Sequence, residues 1–322
     1  MKPNLFTHAT SELSQDAFIL WLLEWADPEC ATEDKALHET AQEFVRLLLN
    51  NKDLTIKSVN TKRQKNHIDV FAIVNEKYAI IIEDKTDTSE HNNQLERYEK
   101  WVTEQKEYLA LETHIVYYKR GNESYFRLNK MIDKYALKRF TILTRKDVLE
   151  VLTKCTTNNL IFCDYVEYIQ DIQRQTEAYQ SLPVSDWSYY TWQGLYMALE
   201  KELQTGDWKY VPNPKGGFWG FNWHWDSITS NTDVDIYLQI EENKLCVKAC
   251  QKDGVEKGYI YSSQLVELAK EKNISLVKPD RLRKGTTMTL AVHTLPDTAN
   301  LPDIVQLLRE IEHFLDEASQ YL

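Results

Sequence analysis

Glycine is absent from the first 120 residues of this 322-residue chain, and its absence excludes several kinds of enzyme. The first glycine is Gly121. A Walker phosphate-binding loop or a dinucleotide-binding fingerprint needs glycines at fixed spacing, so neither can lie in this part of the chain. The sequence also contains no GxSxG motif, and His38 and Glu39 continue as HETAQ rather than HExxH. Nucleotide-fuelled, dinucleotide-dependent and zincin activities therefore have no support.

Cysteine, long apolar runs and positive charge are also scarce. The five cysteines form no CxxC pair, which argues against a disulfide framework and a structural zinc site. No apolar run approaches the roughly 18 residues that span a bilayer, and the N-terminal stretch lacks a signal-peptide pattern, so we expect a cytoplasmic protein without membrane contact. The net charge of -11 gives no global attraction to nucleic acid. Any phosphate-bearing substrate must then be drawn by a local patch or a bound cation.

Helical and strand patterns alternate through the first half of the chain. The predicted elements are helices at 12–25 and 36–49, strands at 55–61, 67–74 and 78–85, a helix at 89–108, strands at 114–120 and 140–144, and helices that reach about residue 179. This alternation predicts an α/β sandwich around a mixed sheet. The segment SLPVSDW interrupts the helical pattern and reads as a linker. We therefore predict two domains, at 1–180 and 184–322, the second of α+β type.

Six of the nine tryptophans lie between Trp187 and Trp225. In the segment FWGFNWHW, Trp219, Phe221, Trp223 and Trp225 alternate with other residues, so all four should share one face of a strand. A row of aromatic rings can stack on bases. Alternation of this kind is more typical of a buried sheet face, and we predict that these rings pack in a core.

Acidic residues and a lysine follow the apolar centres of two neighbouring predicted strands. If residues 75–77 form a three-residue hairpin loop, counting back along both strands places Asp69 opposite Glu83, with their Cβ atoms about 5 Å apart. Lys85 lies two residues beyond Glu83 and shares its face. The backbone carbonyl of Asp84 adds a further oxygen. Charged groups at the end of a buried strand are costly unless they are paired or bind a metal.

These oxygen donors suit Mg²⁺ or Mn²⁺, which keep coordination positions for water and phosphate oxygens. A cation held by Asp69 and Glu83 would stabilise attack on a phosphodiester, and Lys85 would hold or deprotonate the attacking water. Gln94 and Tyr98 share one face of the next helix and are candidates for orienting water or phosphate. The alternative is that Asp69 and Lys85 form a structural ion pair that closes the hairpin.

A short basic run, Lys62, Arg63 and Lys65, precedes the strand that carries Asp69. It is a candidate for contact with a backbone phosphate, and a solvated strand end is the alternative.

Four stretches of this sequence resemble the PD-(D/E)XK nuclease superfamily. They are IDV at 68–70, IIIEDK at 80–85, NNQLERY at 92–98 and ELSQDAFILWLL at 12–23. The likeness is greatest to the group whose third strand reads IIIENK and whose next helix reads QLxRY. Two departures are that Ile68 stands where the motif has proline and that Asp84 replaces the common asparagine.

The resemblance implies a restriction-endonuclease-like fold with a defined set of site residues. These are Asp69, Glu83 and Lys85 as the catalytic core, Glu12 as an additional acid on the first helix, and Gln94 with Tyr98 as an auxiliary pair.

We therefore expect a metal-dependent nuclease that cuts phosphodiester bonds, in DNA in preference to RNA, as an endonuclease or exonuclease. By analogy with the superfamily, a role of this protein in defence against foreign DNA is a further expectation. The second domain would select a substrate or partner, and a homodimer is left open. Two alternatives are a catalytically silent module that binds nucleic acid or protein, and a phosphodiesterase acting on a small phosphorylated ligand.

Overall fold

The chain divides into two compact units in this computed structural model, which describes residues 2–63, 68–86, 93–135, 139–213, 216–227 and 234–322. One unit comprises Met1–Glu123 and Arg127–Arg174, and the other comprises Ser124–Phe126 and Gln175–Leu322. The division after Arg174 comes a few residues before the predicted junction at 180–184.

The first unit is built around a five-stranded mixed sheet. Its helices are α1 (Glu12–Glu24), α2 (Lys35–Leu48), α3 (Gln94–Glu104), α4 (Tyr125–Lys134), α5 (Arg145–Leu152) and α6 (Leu160–Glu177), where α4 and α6 each cross a division between the units. Its strands are β1 (Val59–Arg63), β2 (Val70–Val74), β3 (Tyr78–Lys85), β4 (Glu112–Lys119) and β5 (Phe140–Thr144). The strand order is β1-β2-β3-β4-β5, antiparallel from β1 to β3 and parallel from β3 to β5. This arrangement confirms the predicted α/β class.

Each face of this sheet is covered by its own hydrophobic core. Ile80 and Ile82 of β3 pack with α1, α2, α5 and α6, whereas Ala79 and Ile81 pack with α3. A strand covered on both faces is apolar at successive positions, which explains the near-continuous apolar run. Because side chains alternate along a strand, Asp84 faces the α1 side while Glu83 and Lys85 face the α3 side.

The hairpin between β2 and β3 has the predicted register. Val74 pairs with Tyr78 across a three-residue turn, and the pairing runs back to Val70 opposite Ile82. Asn75 and Glu76 adopt positive φ angles of 56° and 54° in this turn. Asp69 immediately precedes Val70, and Glu83 immediately follows Ile82, so these two acids lie next to the end of the pairing.

Several predicted boundaries differ from the observed ones. Strand β1 begins at Val59 rather than at 55, and β2 begins at Val70. Helix α3 ends at Glu104, four residues before the predicted end, and Tyr108 packs instead as a buried ring beneath the sheet. Residues 67 and 89–92, included in predicted elements, lie outside the described residues.

The second unit contains a five-stranded antiparallel sheet with helices. Its elements are α7 (Tyr189–Leu203), β6 (Asp207–Val211), β7 (Phe218–Ser227), β8 (Asp235–Glu241), β9 (Lys244–Cys250), α8 (Gly258–Glu271), β10 (Thr287–Thr294) and α9 (Leu301–Ala318), with the strand order β10-β9-β8-β7-β6. The segment predicted to be a linker belongs to this unit's core, because Val184 and Trp187 are buried there. The linker interpretation is therefore wrong. Pro183 and the polar residues around it gave the segment the composition of a linker, although two of its apolar residues are buried.

The prediction that four aromatic rings of β7 share a buried face is correct only in part. Phe221 and Trp223 are buried, and Trp219 packs partly against the core, but Trp225 is 60% exposed. The register with β8 shifts between Trp223 and Asp226, and His224 has a φ of 53°. A bulge of this kind breaks the alternation of side chains and turns Trp225 out of the core.

None of the described helices combines the length and the hydropathy that crossing a bilayer requires.

Candidate active site

The β2–β3 hairpin brings Asp69 beside the end of β3. Asp69 leaves the strand at a bend, and its Oδ2 accepts a hydrogen bond of 3.1 Å from the backbone N–H of Asp84. The Asp69 and Glu83 side chains lie close enough for the charge of Asp69 to raise the pKa of Glu83. The two carboxyls predicted to lie opposite each other are therefore neighbours.

Glu83 and Lys85 form a buried ion pair on the same face of β3. The Lys85 ammonium contacts Oε1 of Glu83, and both side chains are almost inaccessible to water. Burial, followed by the negative charge of Asp69, raises the pKa of Glu83 to about 7. Burial acts to lower the pKa of Lys85, but the hydrogen bond to Glu83 and the surrounding acids outweigh it and leave that pKa above its usual value. Lys85 therefore carries its charge at neutral pH.

Glu12 reaches this site from the first turn of α1. Ser11 caps the helix, since its hydroxyl accepts a hydrogen bond from the backbone N–H of Ser14. The Oε1 atom of Glu12 accepts from the backbone N–H of Thr86 at 3.2 Å and from its hydroxyl at 3.4 Å. Glu12 thus fixes the residue that follows β3.

Three further polar residues of the site were not predicted from the sequence. Asp16 and Gln15 of α1 are each only 2% exposed, and the Asp84 side chain is fully buried. Gln15 donates a hydrogen bond from Nε2 to Oδ1 of Asp84, and the Asp16 and Asp84 carboxyls lie close enough for the charge of Asp16 to raise the pKa of Asp84. The sequence prediction used only the backbone carbonyl of Asp84. The signal for Asp16 was its position four residues after Glu12, on the same face of α1.

Crowding of acids perturbs the ionisation of this second group as well. Burial, then the charges of Asp69 and Glu12, raises the pKa of Asp16 to about 7. Burial, then the charge of Asp16, raises the pKa of Asp84 well above its usual value. Two buried carboxyls this close resist ionising together, because each negative charge disfavours the other.

The predicted pair on α3 meets the site through its tyrosine. Gln94 donates from Nε2 to the hydroxyl of Tyr98 at 3.4 Å, and Tyr98 lies close enough to Glu83 to feel the charge of that acid. Burial, then the charges of Glu83 and Asp69, raises the pKa of Tyr98, so it remains a neutral donor. Gln94 therefore lies behind Tyr98, and Tyr98 lies against the acids.

The basic run lies apart from this set of contacts. The Lys62 ammonium is 2.9 Å from Oε1 of Glu107 and 2.9 Å from the hydroxyl of Tyr108. The predicted phosphate contact at Lys62 would have to compete with that carboxylate. The Arg63 side chain and Lys65 lie outside the described residues.

The oxygen donors at the end of the hairpin fit a hard divalent cation by their chemistry. Two carboxyls, from Asp69 and Glu83, adjoin the backbone of Asp84, and Mg²⁺ is commonly held by one or two carboxylates with water and phosphate completing its shell. Within the part of the chain that the structure describes, no three His, Cys, Asp or Glu side chains converge as a ready-made metal site. A cation would thus depend on the two acids together with solvent or substrate oxygens.

Comparison with known proteins identifies the first unit's family. Neither the curated proteins nor the solved structures gave a match to this chain. A family model of the PD-(D/E)XK nuclease superfamily matches residues 3–182, which is more than half of the chain and includes every site residue described above. The chain therefore belongs to the PD-(D/E)XK nuclease superfamily.

Proposed function

We propose that this protein is a metal-dependent nuclease that hydrolyses phosphodiester bonds in DNA in preference to RNA. One observation carries the proposal: Asp69 and Glu83 adjoin at the end of a buried hairpin with the Lys85 ammonium in contact with Glu83. A chain of this superfamily that had become only a binding module would have no need to keep all three charged groups together.

Asp69, Glu83 and the backbone carbonyl of Asp84 are the residues that would hold Mg²⁺ or Mn²⁺, with Glu12 as a less direct contributor. When bound, the cation supplies positive charge beside the scissile phosphate and lowers the pKa of the attacking water. The raised pKa of Glu83 supports the assignment, because a group of acids that resist ionisation together is relieved by a nearby positive charge.

Lys85 acts in this proposal as a charged donor. Its pKa lies above the usual value, so Nζ keeps its protons at neutral pH and donates to the water or to a phosphate oxygen. Such a donor stabilises the charge that develops as the phosphodiester is attacked, which is commonly worth a factor of about 10² to 10³ in rate. Tyr98 and Gln94 are positioning residues, since Tyr98 lies beside Glu83 and Gln94 hydrogen-bonds to Tyr98.

Cleavage assays test the activity directly. Purified protein is incubated with single- and double-stranded DNA and RNA, with Mn²⁺, with Mg²⁺ and with EDTA. We expect metal-dependent cleavage of DNA that Lys85→Met slows at least a hundredfold. Lys100→Met is the matched control, because that side chain is 77% exposed on α3.

Calorimetric titration with Mn²⁺ separates the roles of the two residues. Asp69→Ala should lose most of the cation affinity, whereas Lys85→Met should bind Mn²⁺ about as well as the wild type, since a protonated lysine cannot coordinate a cation. Binding of DNA without cleavage in any metal would favour the silent-module alternative. Cleavage of a small phosphodiester but of no nucleic acid would favour the small-ligand alternative.

The second unit would then select the substrate or a partner of the nuclease. A cytoplasmic role against foreign DNA rests on analogy with the superfamily.

A further inference from the structure

A cavity of about 500 Å³ in the second unit is walled by aromatic side chains. Three stretches of chain meet there: the residues around the start of α7, the β6–β7 hairpin, and the turn between β8 and β9. Its volume lies within the range of small-molecule sites. The cavity uses side chains that the proposed cleavage chemistry does not involve.

Six aromatic residues line this cavity, in orientations that form corners rather than a flat wall. They are Trp187, Tyr189, Trp192, Tyr210, Phe218 and Trp219. The rings of Trp187 and Trp192 meet edge to face at 4.6 Å and 69°, and those of Tyr210 and Trp219 meet at 5.8 Å and 68°. Edge-to-face pairs of this kind present the face of one ring beside the edge of another. A flat ligand can stack on such a wall.

Hydrogen bonds and close packing hold this wall in place. Tyr196 is fully buried behind it and donates from its hydroxyl to the carbonyl of Trp219 at 3.0 Å. Gly217 has a φ of +94°, and an added Cβ would lie 2.6 Å from the Tyr210 hydroxyl and from a backbone oxygen. Only glycine fits at this position of the cavity wall.

The rim of the cavity carries one carboxylate and one amide, from Glu242 and Asn243. They form the two-residue turn between β8 and β9, and Glu242 adopts a φ of +51°. That backbone region is uncommon for residues other than glycine, asparagine and aspartate. Glycine or asparagine would adopt this backbone conformation at lower cost. The presence of glutamate therefore suggests that its carboxylate has a function.

We propose that this cavity binds a nucleobase turned out of a nucleic-acid strand, with a preference for bases whose edge donates hydrogen bonds. The choice of ligand class rests on the proposed nuclease function. A base stacks on the aromatic wall, and the Glu242 carboxylate accepts from its amino group. Guanine presents two adjacent N–H donors to a carboxylate, cytosine and adenine present an amino group, and thymine presents one N–H between two carbonyl oxygens. Because a carboxylate only accepts, we expect guanine to bind most tightly and thymine least.

A methylated ammonium group is the other ligand that aromatic walls with an acid can take. A cation of this kind needs rings on several sides and no hydrogen-bonding edge. The exposed amide of Asn243 beside Glu242 instead offers both a donor and an acceptor, which suits the edge of a base better than a group without N–H or O–H.

Calorimetric titration in EDTA tests the proposal without requiring cleavage. The probes are two single-stranded thymidine oligonucleotides, one with a central guanine and one with thymine throughout, and a trimethyllysine peptide. We expect the guanine-containing strand to bind about tenfold more tightly than the all-thymine strand. Glu242→Ala should remove this preference, and Tyr189→Ala should weaken both strands about tenfold by removing a stacking ring. Tyr321→Ala is the matched control, because this tyrosine of the same unit is 68% exposed and does not line the cavity.

Equal affinity for the two strands, unchanged by Glu242→Ala and by Tyr189→Ala, would overturn the proposal. So would binding of the trimethyllysine peptide that depends on Tyr189 while neither strand binds. If Tyr189→Ala lowers the melting temperature, the Glu242→Ala result decides, since Glu242 lies in an exposed turn. A preference for the guanine strand without any cleavage of DNA would support this base-binding site and refute the proposed nuclease function. Cleavage of DNA without any preference between the two strands would support the nuclease function and refute this base-binding site.

Discussion

Replacing Asp84 by asparagine should make the protein more stable at neutral and alkaline pH. Asp84 is fully buried, accepts a hydrogen bond from Gln15 and lies beside the Asp16 carboxyl. An asparagine has the same shape: its Oδ1 can accept from Gln15 and its Nδ2 can donate to the Asp16 carboxylate. Asp84→Asn therefore keeps the contacts and removes a group that must hold a proton to occupy this position.

The size of the effect follows from proton linkage. Burial and the charge of Asp16 raise the pKa of Asp84 well above 3.8, so above about pH 4 the folded chain binds a proton that the unfolded chain has lost. Stability then falls as pH rises, by about 1.4 kcal/mol per pH unit for each such proton. The stability advantage of Asp84→Asn over the wild type should therefore grow with pH for as long as Asp84 stays protonated in the folded chain.

Urea denaturation at pH 5, 6, 7 and 8 in EDTA, followed by circular dichroism, measures this difference. The transition of the first unit should lie at higher urea in the variant than in the wild type, and the difference should grow as pH rises. Asp133→Asn is a matched control, because Asp133 lies on the exposed side of α4. Parallel pH profiles for Asp84→Asn and the wild type would refute the claim that Asp84 is held protonated.

Two further predictions concern the acids and the aromatic strand. Mn²⁺ should raise the melting temperature more at pH 7.5 than at pH 5.5, because Glu83 and Asp16 have pKa values of about 7 and protons compete with the cation below them; equal shifts at both pH values would contradict this. Trp223→Ala should cost about 3 to 5 kcal/mol in urea denaturation, since it empties a core position and removes a 2.6 Å hydrogen bond to Glu312. Trp225→Ala should cost less than about 1 kcal/mol, as an exposed ring, and a similar loss for both variants would show that the bulge has been misread.

The sequence predicted the hairpin and its neighbours because local rules determine them. An apolar strand, a short polar turn and a second apolar strand leave one register that keeps both faces buried. Once Val74 is paired with Tyr78, the relation of Asp69 to Glu83 follows by counting. The same holds for α1, whose first turn begins at a serine cap followed by Glu12.

The side chain of Asp84 and the role of Asp16 could not be obtained in the same way. Both depend on how α1 packs across the sheet, which no local pattern determines. An acid at Asp16 reads equally well as a solvated helix position, and only its packing against β3 shows that it is buried. The exposure of Trp225 has a similar origin, because a bulge adds residues to one strand and no feature of FWGFNWHW indicates where.

The two faces of β3 give its acids different tasks. Glu83 and Lys85 face α3 and neutralise each other, whereas Asp84 faces α1 and meets a second acid. Burying two acids in contact is costly for stability, and a neutral amide would make the same hydrogen bonds. In the group that this sequence resembles, asparagine commonly occupies that position, and it would donate to the α1 side at any pH. Asp84 reproduces that donor only while it holds a proton, so the support it gives to α1, and through α1 to Glu12, weakens once that proton is lost.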